Sequence, residues 1–539
     1  MRISQVVLLA AVFTGAAAGR VSAQHPLVTL PLSDPAYVQL DGLARLGCQP
    51  AHVSPFRPYL LRSIRLALGA ALADSACASP LRDALVARLG AGDRAAADSV
   101  QTAEGLGGGG ALTVRATALG NGEFRPLWQD VRESALGDPT AVAIARGRVT
   151  WSGGPHIAAV SDLVAQSNIR NDPAIRARTF RSTKGVLDFD EAYIAARAGP
   201  FTVNVGRGSE AWLGEGDESL MLSAHGPALD RIMLDARWSK WQARAIFANL
   251  NDVVLDPIVD DLAPGVGTQR YHRMLAAHAI TYQPTPVFEF TLGETAVLAR
   301  RGGGIDLAFA NPLMLYLMTE HDTSRTGPGV DDDNLTAFGA ARMHLGRATL
   351  AGELMVDDIQ IDAKDRKVTQ DQLGWRFRGD YALPVGLPST VSLTYERLSS
   401  YTYLRRYYSL AYQAYDRPLG SELGPDADVI RGGGEFWASE RFLMSAGVSF
   451  RRNGAQRIDE RPGGTAVGQG GASYPSVNAL RPAVQRTVAG DLSVQWLDAI
   501  VPITVSAEMA HIANINNDPS KAGTYLRVHI DGTYRFRFP

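Results

Sequence analysis

The stretch Tyr525-Leu526-Arg527-Val528-His529-Ile530-Asp531-Gly532-Thr533-Tyr534-Arg535-Phe536-Arg537-Phe538 closes the chain with a strict alternation. Leu526, Val528, Ile530, Tyr534, Phe536 and Phe538 fall on one face, and Arg527, His529, Asp531, Arg535 and Arg537 on the other. Successive side chains of a strand point to opposite sides, so the segment needs hydrocarbon on one side and a polar interior on the other. A soluble sandwich buries its apolar face in a packed core, and rarely commits Tyr and two Phe to the very terminus. The lipid-facing wall of a membrane β-barrel meets both demands.

Four more segments keep the same period of two. Ile503, Val505, Ala507 and Met509 alternate with Thr504, Ser506 and Glu508, and Val488, Leu492, Val494 and Trp496 with Thr487, Asp491, Ser493 and Gln495. Val391, Leu393 and Tyr395 alternate with Thr390, Ser392, Thr394 and Glu396, and Phe442, Met444, Val448 and Phe450 with Ser445 and Ser449. From Ala111 onward about 18 such candidates follow, each of roughly 9 to 15 residues, long enough to cross a bilayer at the usual tilt. Short turns near Ser152, Ala198, Ser239, Gln283, Gly346, Pro384, Ser439 and Asp498 alternate with long polar loops. That asymmetry predicts a periplasmic rim of turns, an extracellular rim of loops, and both termini in the periplasm. The fold expected is all-β: a transmembrane antiparallel barrel over residues 111–539.

The N-terminal part reads differently. Residues 1–23 carry Arg2, an apolar run from Val6 to Ala18 and a small-x-small end before Gln24, the anatomy of a cleavable export signal. Residues 24–110 are expected to form a small periplasmic helical bundle and a connector. Tyr37, Leu40, Leu43 and Leu46 share one helical stripe, Leu60, Ile64, Leu68 and Leu72 another, and Ser79-Pro80 opens a third helix. The two cysteines, Cys48 and Cys77, are expected to be bonded in an oxidising compartment; two unrelated buried thiols are the competing reading. Charge is balanced, with 53 basic against 55 acidic residues, and nothing in it suggests nucleic acid.

The segment Phe201 to Leu234 contains Gly206-Arg207-Gly208, then Trp212-Leu213-Gly214-Glu215-Gly216 and Ser219-Leu220-Met221-Leu222-Ser223. In this it resembles the capsule-assembly Wzi family. Ala310-Asn311-Pro312-Leu313, Asp333-Asn334, Gly352 to Asp358, Gly374-Trp375 and Leu423 to Asp428 follow in the family's order, and Leu46-Gly47 and Arg57-Pro58-Tyr59 fit its helical N-terminus. The tryptophan motif is one residue longer than the family's tight form, and the chain ends in Pro539, not an aromatic residue. The resemblance implies an 18-stranded outer-membrane barrel with a small periplasmic helical bundle, acting as a surface lectin for capsular polysaccharide. A monomer with no enzyme activity, cofactor or metal is expected.

Arg207, Glu210, Trp212, Asp217 and Glu218 are the candidate sugar-binding residues: an indole offers a flat apolar face, and the charged groups orient a polar ligand. The alternative is that Trp212 packs its loop into the lumen. Tyr401, Tyr403, Tyr407, Tyr408, Tyr412 and Tyr415 read either as a stacking platform or as an interfacial girdle. Asp331-Asp332-Asp333-Asn334 reads as a solvated tip or a calcium loop. No nucleophile-elbow sequence and no paired-histidine metal motif occurs. A channel for small solutes or sugars is the alternative function, and the lumen decides: interlocked charges and inward loops close it, a wide wet lumen conducts.

Overall fold

The computed structural model describes residues 25–91, 105–119, 140–167, 185–213, 218–255, 268–301, 306–320, 333–358, 371–405, 408–415, 417–456, 458, 480, 483–498 and 500–538. The export signal of residues 1–23 and the expected mature start at Gln24 lie outside them.

Eighteen antiparallel strands form one closed sheet: β1 Gly105–Leu119, β2 Thr140–Ser152, β3 Ile157–Gln166, β4 Val186–Ala198, β5 Phe201–Gly208, β6 Leu229–Trp238, β7 Trp241–Asn249, β8 Gln269–Thr285, β9 Phe288–Arg300, β10 Asn334–Leu345, β11 Ala348–Asp358, β12 Gln372–Ala382, β13 Ser389–Leu398, β14 Ala427–Ser439, β15 Phe442–Asn453, β16 Gln485–Trp496, β17 Ile503–Ala513 and β18 Ala522–Phe538. Closure comes from β1 pairing with β18, Gly110 opposite Phe536 and Arg115 opposite Asp531. The first strand takes in Gly105 to Gly110, which composition alone reads as connector. Backbone groups make the ladder, so glycines join it whenever their neighbours present a partner edge.

Alternation sets the two faces. Leu526, Ile530 and Tyr534 are exposed on the outside of β18, with Val505 and Met509 beside them on β17. Similar exposed rows run over the other strands, among them Ile232, Phe290, Leu292, Leu354 and Phe377. An apolar outer band around a polar interior is the arrangement a bilayer requires of a barrel. The side chains of Arg537 and Phe538 lie outside the described residues. All eight short connections fall at one end of the barrel, and the long ones at the other.

Three helices fill the short-turn mouth: α1 Ala36–Arg45, α2 Leu61–Ala73 and α3 Pro80–Leu89. Ser79 caps α3 by accepting a hydrogen bond from the Arg82 N–H, with Pro80 in the first turn. The buried face of α2 is Leu61, Ile64, Leu68 and Ala71, and Leu72 is exposed. Leu72 continues the sequence stripe at eight residues from Ile64, but the bend of one face at 3.6 residues per turn brings Ala71 to the core instead. Cys48 and Cys77 form a disulfide at 2.00 Å, joining the segment just after α1 to the approach of α3.

The helical region grips the wall nearly all the way round. The Thr29 N–H donates to the Tyr193 hydroxyl of β4 at 2.9 Å, and the Ser54 hydroxyl donates to Gln242 of β7 at 2.8 Å. His52 meets Glu289 of β9 at 3.1 Å, His344 of β10 meets the Gly47 carbonyl at 3.3 Å, and Arg45 pairs with Glu435 of β14 at 2.8 Å. Gln39 donates to the Glu440 carbonyl in the next turn at 3.0 Å. Gly42 lies against the indole of Trp437 so closely that a Cβ there would stand 2.5 Å from the ring.

Candidate functional site

The lumen contains more than the helices. The long connection after β5 and the one after β13 fold inward, and their apolar residues Trp212, Leu220, Met221, Leu222, Tyr403 and Tyr412 form one buried cluster with inward residues of the wall. From the opposite end the strand Phe56–Arg57 reaches up to pair with Ala211–Trp212. The Phe56 and Trp212 rings meet edge to face at 5.3 Å.

Charges turned inward by the alternation find partners on these segments. Glu210 accepts from Arg231 Nε at 2.5 Å and from the Trp212 indole N–H at 2.7 Å, and Arg244 Nη1 stands 3.5 Å from it. The Arg231 and Glu210 side chains are each 1% exposed, so the pair must be satisfied by protein groups and not by bulk water. Glu218 binds Arg376 at 3.1 Å and Arg431 at 2.8 Å. Burial alone would raise the Glu218 carboxyl, but the Arg431 and Arg376 guanidiniums outweigh it and hold it down at about 2. Glu353 accepts from the Leu220 N–H at 2.9 Å and from the Ser219 hydroxyl at 3.1 Å, while the Ser421 hydroxyl donates to Glu396.

The second inward segment is held as firmly. The Tyr403 and Tyr412 hydroxyls donate to the Leu220 and Met221 carbonyls at 2.7 and 2.6 Å, with the two rings stacked 5.2 Å apart. Arg273 of β8 donates to the carbonyls of Ser409, Ala411 and Gln413 at 2.5, 2.6 and 2.9 Å. The Tyr403 N–H donates to Asp357 at 2.8 Å, and Asn334 donates to the Leu410 carbonyl at 2.9 Å. Burial pushes both tyrosine hydroxyls to higher pKa, keeping them donors throughout the ordinary pH range.

The candidates named from sequence therefore separate. Glu210 and Trp212 share one network, and Trp212 is fully buried. Glu218 belongs to a second network and is partly exposed. Arg207, at the end of β5, bridges Asp188 at 2.9 Å and Asp230 at 2.7 Å, apart from both. Asp217 lies outside the described residues. Tyr401, Tyr403 and Tyr412 are buried, and the side chains of Tyr407 and Tyr408 lie outside the described residues. Asp333 binds Arg300 at 2.5 Å, and Asp331 and Asp332 are not among the described residues. Sequence reasoning missed Phe56, Arg231, Arg273 and Arg376. For the arginines a signal existed: Arg231 precedes the outward Ile232, and Arg376 precedes the outward Phe377.

The wall from β17 through β18 to β1 is less covered. Arg527 pairs with Glu508 at 2.6 Å and Arg115 with Asp531 at 3.0 Å, with side-chain exposures of 30 and 24%, and 44 and 22%. These two inward pairs are partly open.

No family model and no curated protein sequence matches the chain. Among solved structures it is similar to Wzi, an outer-membrane protein involved in group 1 capsule assembly in Escherichia coli and a carbohydrate-binding β-barrel. The TM-score is 0.54 at 12% identity, over 94% of this chain and 99% of that one. Pseudomonas aeruginosa OccD3 (OpdP) aligns over 81% of this chain and 92% of its own, with 10% identity and a TM-score of 0.45. OprD of the same organism aligns over 81% and 94%, with 8% identity and 0.46. At such identities the likeness is one of fold: a closed 18-stranded barrel of the outer-membrane type.

Proposed function

We propose that this protein is a monomeric outer-membrane surface lectin that binds capsular or related polysaccharide at its long-loop rim and helps attach or organise it at the cell surface. Both termini then face the periplasm, and the reaction-free role needs no cofactor or metal. One observation carries the reading: helices fill the short-turn mouth while two inward segments interlock with the wall above them. A barrel stopped in this way has its long-loop end as the working surface. The carbohydrate-binding barrel of similar fold supports the same reading.

Below the rim, where the inward connection meets the wall, Glu218 and Arg431 combine accessibility with fixed geometry, their side chains 31 and 51% exposed. A charged pair held in place presents hydrogen-bond groups to sugar hydroxyls without reordering. Glu210 and Trp212 shape the loop beneath, while Arg207 and Asp217 flank it in sequence.

A channel is the second reading, favoured by the partly open charged wall from β17 to β1. Polysaccharide pull-down with the refolded barrel and conductance across a planar bilayer separate the two. Retention of polysaccharide without conductance supports the lectin; conductance without retention replaces it with the channel.

A further inference from the structure

One part of the long-loop end does not fold inward. The connection after β9 contains two short helices, α4 Leu307–Ala310 and α5 Tyr316–Glu320. Phe309 and Tyr316 are buried in a cluster with Met274, Ala276, Ala296, Leu298 and Leu335. Met274, Ala276, Ala296 and Leu298 share the parity of Ile280 and Leu292, which are exposed on the outside of the same two strands, and Leu335, in register with Ala296, shares that of the exposed Leu345 of β10. Leu275, Ala277 and Val297, of the opposite parity, belong to the lumen cluster. The segment is therefore a strap lying on the outer face of the barrel, where lipid would otherwise be.

The strap's exposed side is strongly apolar. Leu307, Leu313, Leu315, Leu317 and Met318 are 78, 90, 55, 56 and 69% exposed. A patch of this kind on a water-facing loop is a liability; against hydrocarbon it is favourable. It also continues the established outer band. Ala296 is in register with Ala276, Ala276 with Phe247, and Phe247 with the exposed Ile232.

A polar latch fixes the strap at that depth. Glu294 faces outward six residues before Arg300 ends β9, a strand length of about 20 Å or roughly 15 Å along the normal at the usual tilt. That reach places it within an apolar band about 25 Å tall. The Tyr316 N–H donates to Glu294 Oε2 at 2.7 Å, His278 Nε2 lies 3.7 Å from the same oxygen, and the Tyr316 ring covers His278 at 4.4 Å. Polar groups turned toward lipid are costly unless covered and satisfied, and the strap does both. At its root Arg300 binds Asp306 and Asp333 at 3.2 and 2.5 Å, tying the two ends of the connection together.

We infer that residues 306–320 form a membrane-embedded strap whose occupant is the acyl-chain region of the lipid leaflet at the long-loop end, held there by the Glu294–Tyr316–His278 latch. The test is nitroxide labelling of Leu313→Cys and Leu317→Cys in the full chain reconstituted in phospholipid vesicles. Labels at Leu292→Cys, on the bare wall, and Ser520→Cys, on an exposed connection, are the references. Both strap labels should match Leu292: relaxed by oxygen and shielded from a water-soluble nickel chelate. Nickel access equal to that at Ser520 would overturn the inference, as would spin–spin broadening between copies, which would make the strap a subunit contact. In a His278→Leu/Glu294→Leu double variant the Leu317 label should gain mobility and nickel access; unchanged spectra would remove the latch from the proposal.

Discussion

Replacing Glu210 by Ala tests whether the lumen is held by its buried charges. The change takes away the acceptor of Arg231 and of the Trp212 indole at once. Trp212 is fully buried and, among the described residues, Arg231 keeps Asn204 alone at 3.4 Å, so neither donor can turn to water in place. Removing one member of a buried ion pair costs about 3–5 kcal/mol. A buried donor left unmade adds about 1–3 kcal/mol. Because the two losses share one site they overlap, and a total of about 4–6 kcal/mol follows from the same figures. Urea unfolding in phospholipid vesicles measures it, with hydrogen exchange locating the loss. Amides of Ala211 to Leu222 should exchange faster, and those of β14 to β18 should not. A Glu210→Met/Arg231→Met double variant should recover much of the loss, since a well-packed apolar pair replaces a buried ion pair at little net cost. A Glu210→Ala midpoint shifted by less than about 1 kcal/mol, with unchanged exchange, would refute the view that this network holds the loop.

Three other outcomes are expected. Cys48→Ala/Cys77→Ala opens a disulfide spanning 29 residues, which should cost the helical region about 3 kcal/mol, read as faster exchange in α1 to α3 with the strands unchanged. Glu218, held at about 2 against an ordinary value of 4.5, contributes stability that is complete above 4.5 and lost as pH falls from there toward 2; exchange near Ser219 and Leu220 followed over that range should rise, and a flat profile would contradict the pairing with Arg376 and Arg431. Tyr403→Phe removes the hydroxyl that donates to the Leu220 carbonyl and accepts from the Ser421 N–H, so the inward segment should loosen by about 1–3 kcal/mol in thermal unfolding.

The wall was legible because period two is local: Leu526 and Arg527 are neighbours in sequence and opposite in space. The turns were legible for the same reason, since Gly346 or Ser239-Lys240 joins strands that pair directly. What fills the wall was not. Phe56 meets Trp212 across 156 positions, and Gln39 meets Glu440 across 401; no spacing rule reaches that far. Trp212 shows the limit clearly, because a loop indole beside acids reads as a ligand platform or as a wedge, and its surroundings are fixed by Phe56, Glu210 and Leu222 together. The strap escaped for another reason: Glu294 and His278 interrupt the outward apolar row, so the sequence there loses the alternation that marks lipid contact.

The short ribbon in which Phe56–Arg57 pairs with Ala211–Trp212 joins a segment entering from one mouth to a loop descending from the other. It gives the two ends of the barrel a direct physical link. Where a ligand at the rim favours one arrangement of that loop through the ribbon, the helical region's own states shift by the same coupling free energy, and a contact on the helices acts on the rim in return. Such reciprocity is how an event at one mouth of the barrel has a counterpart at the other.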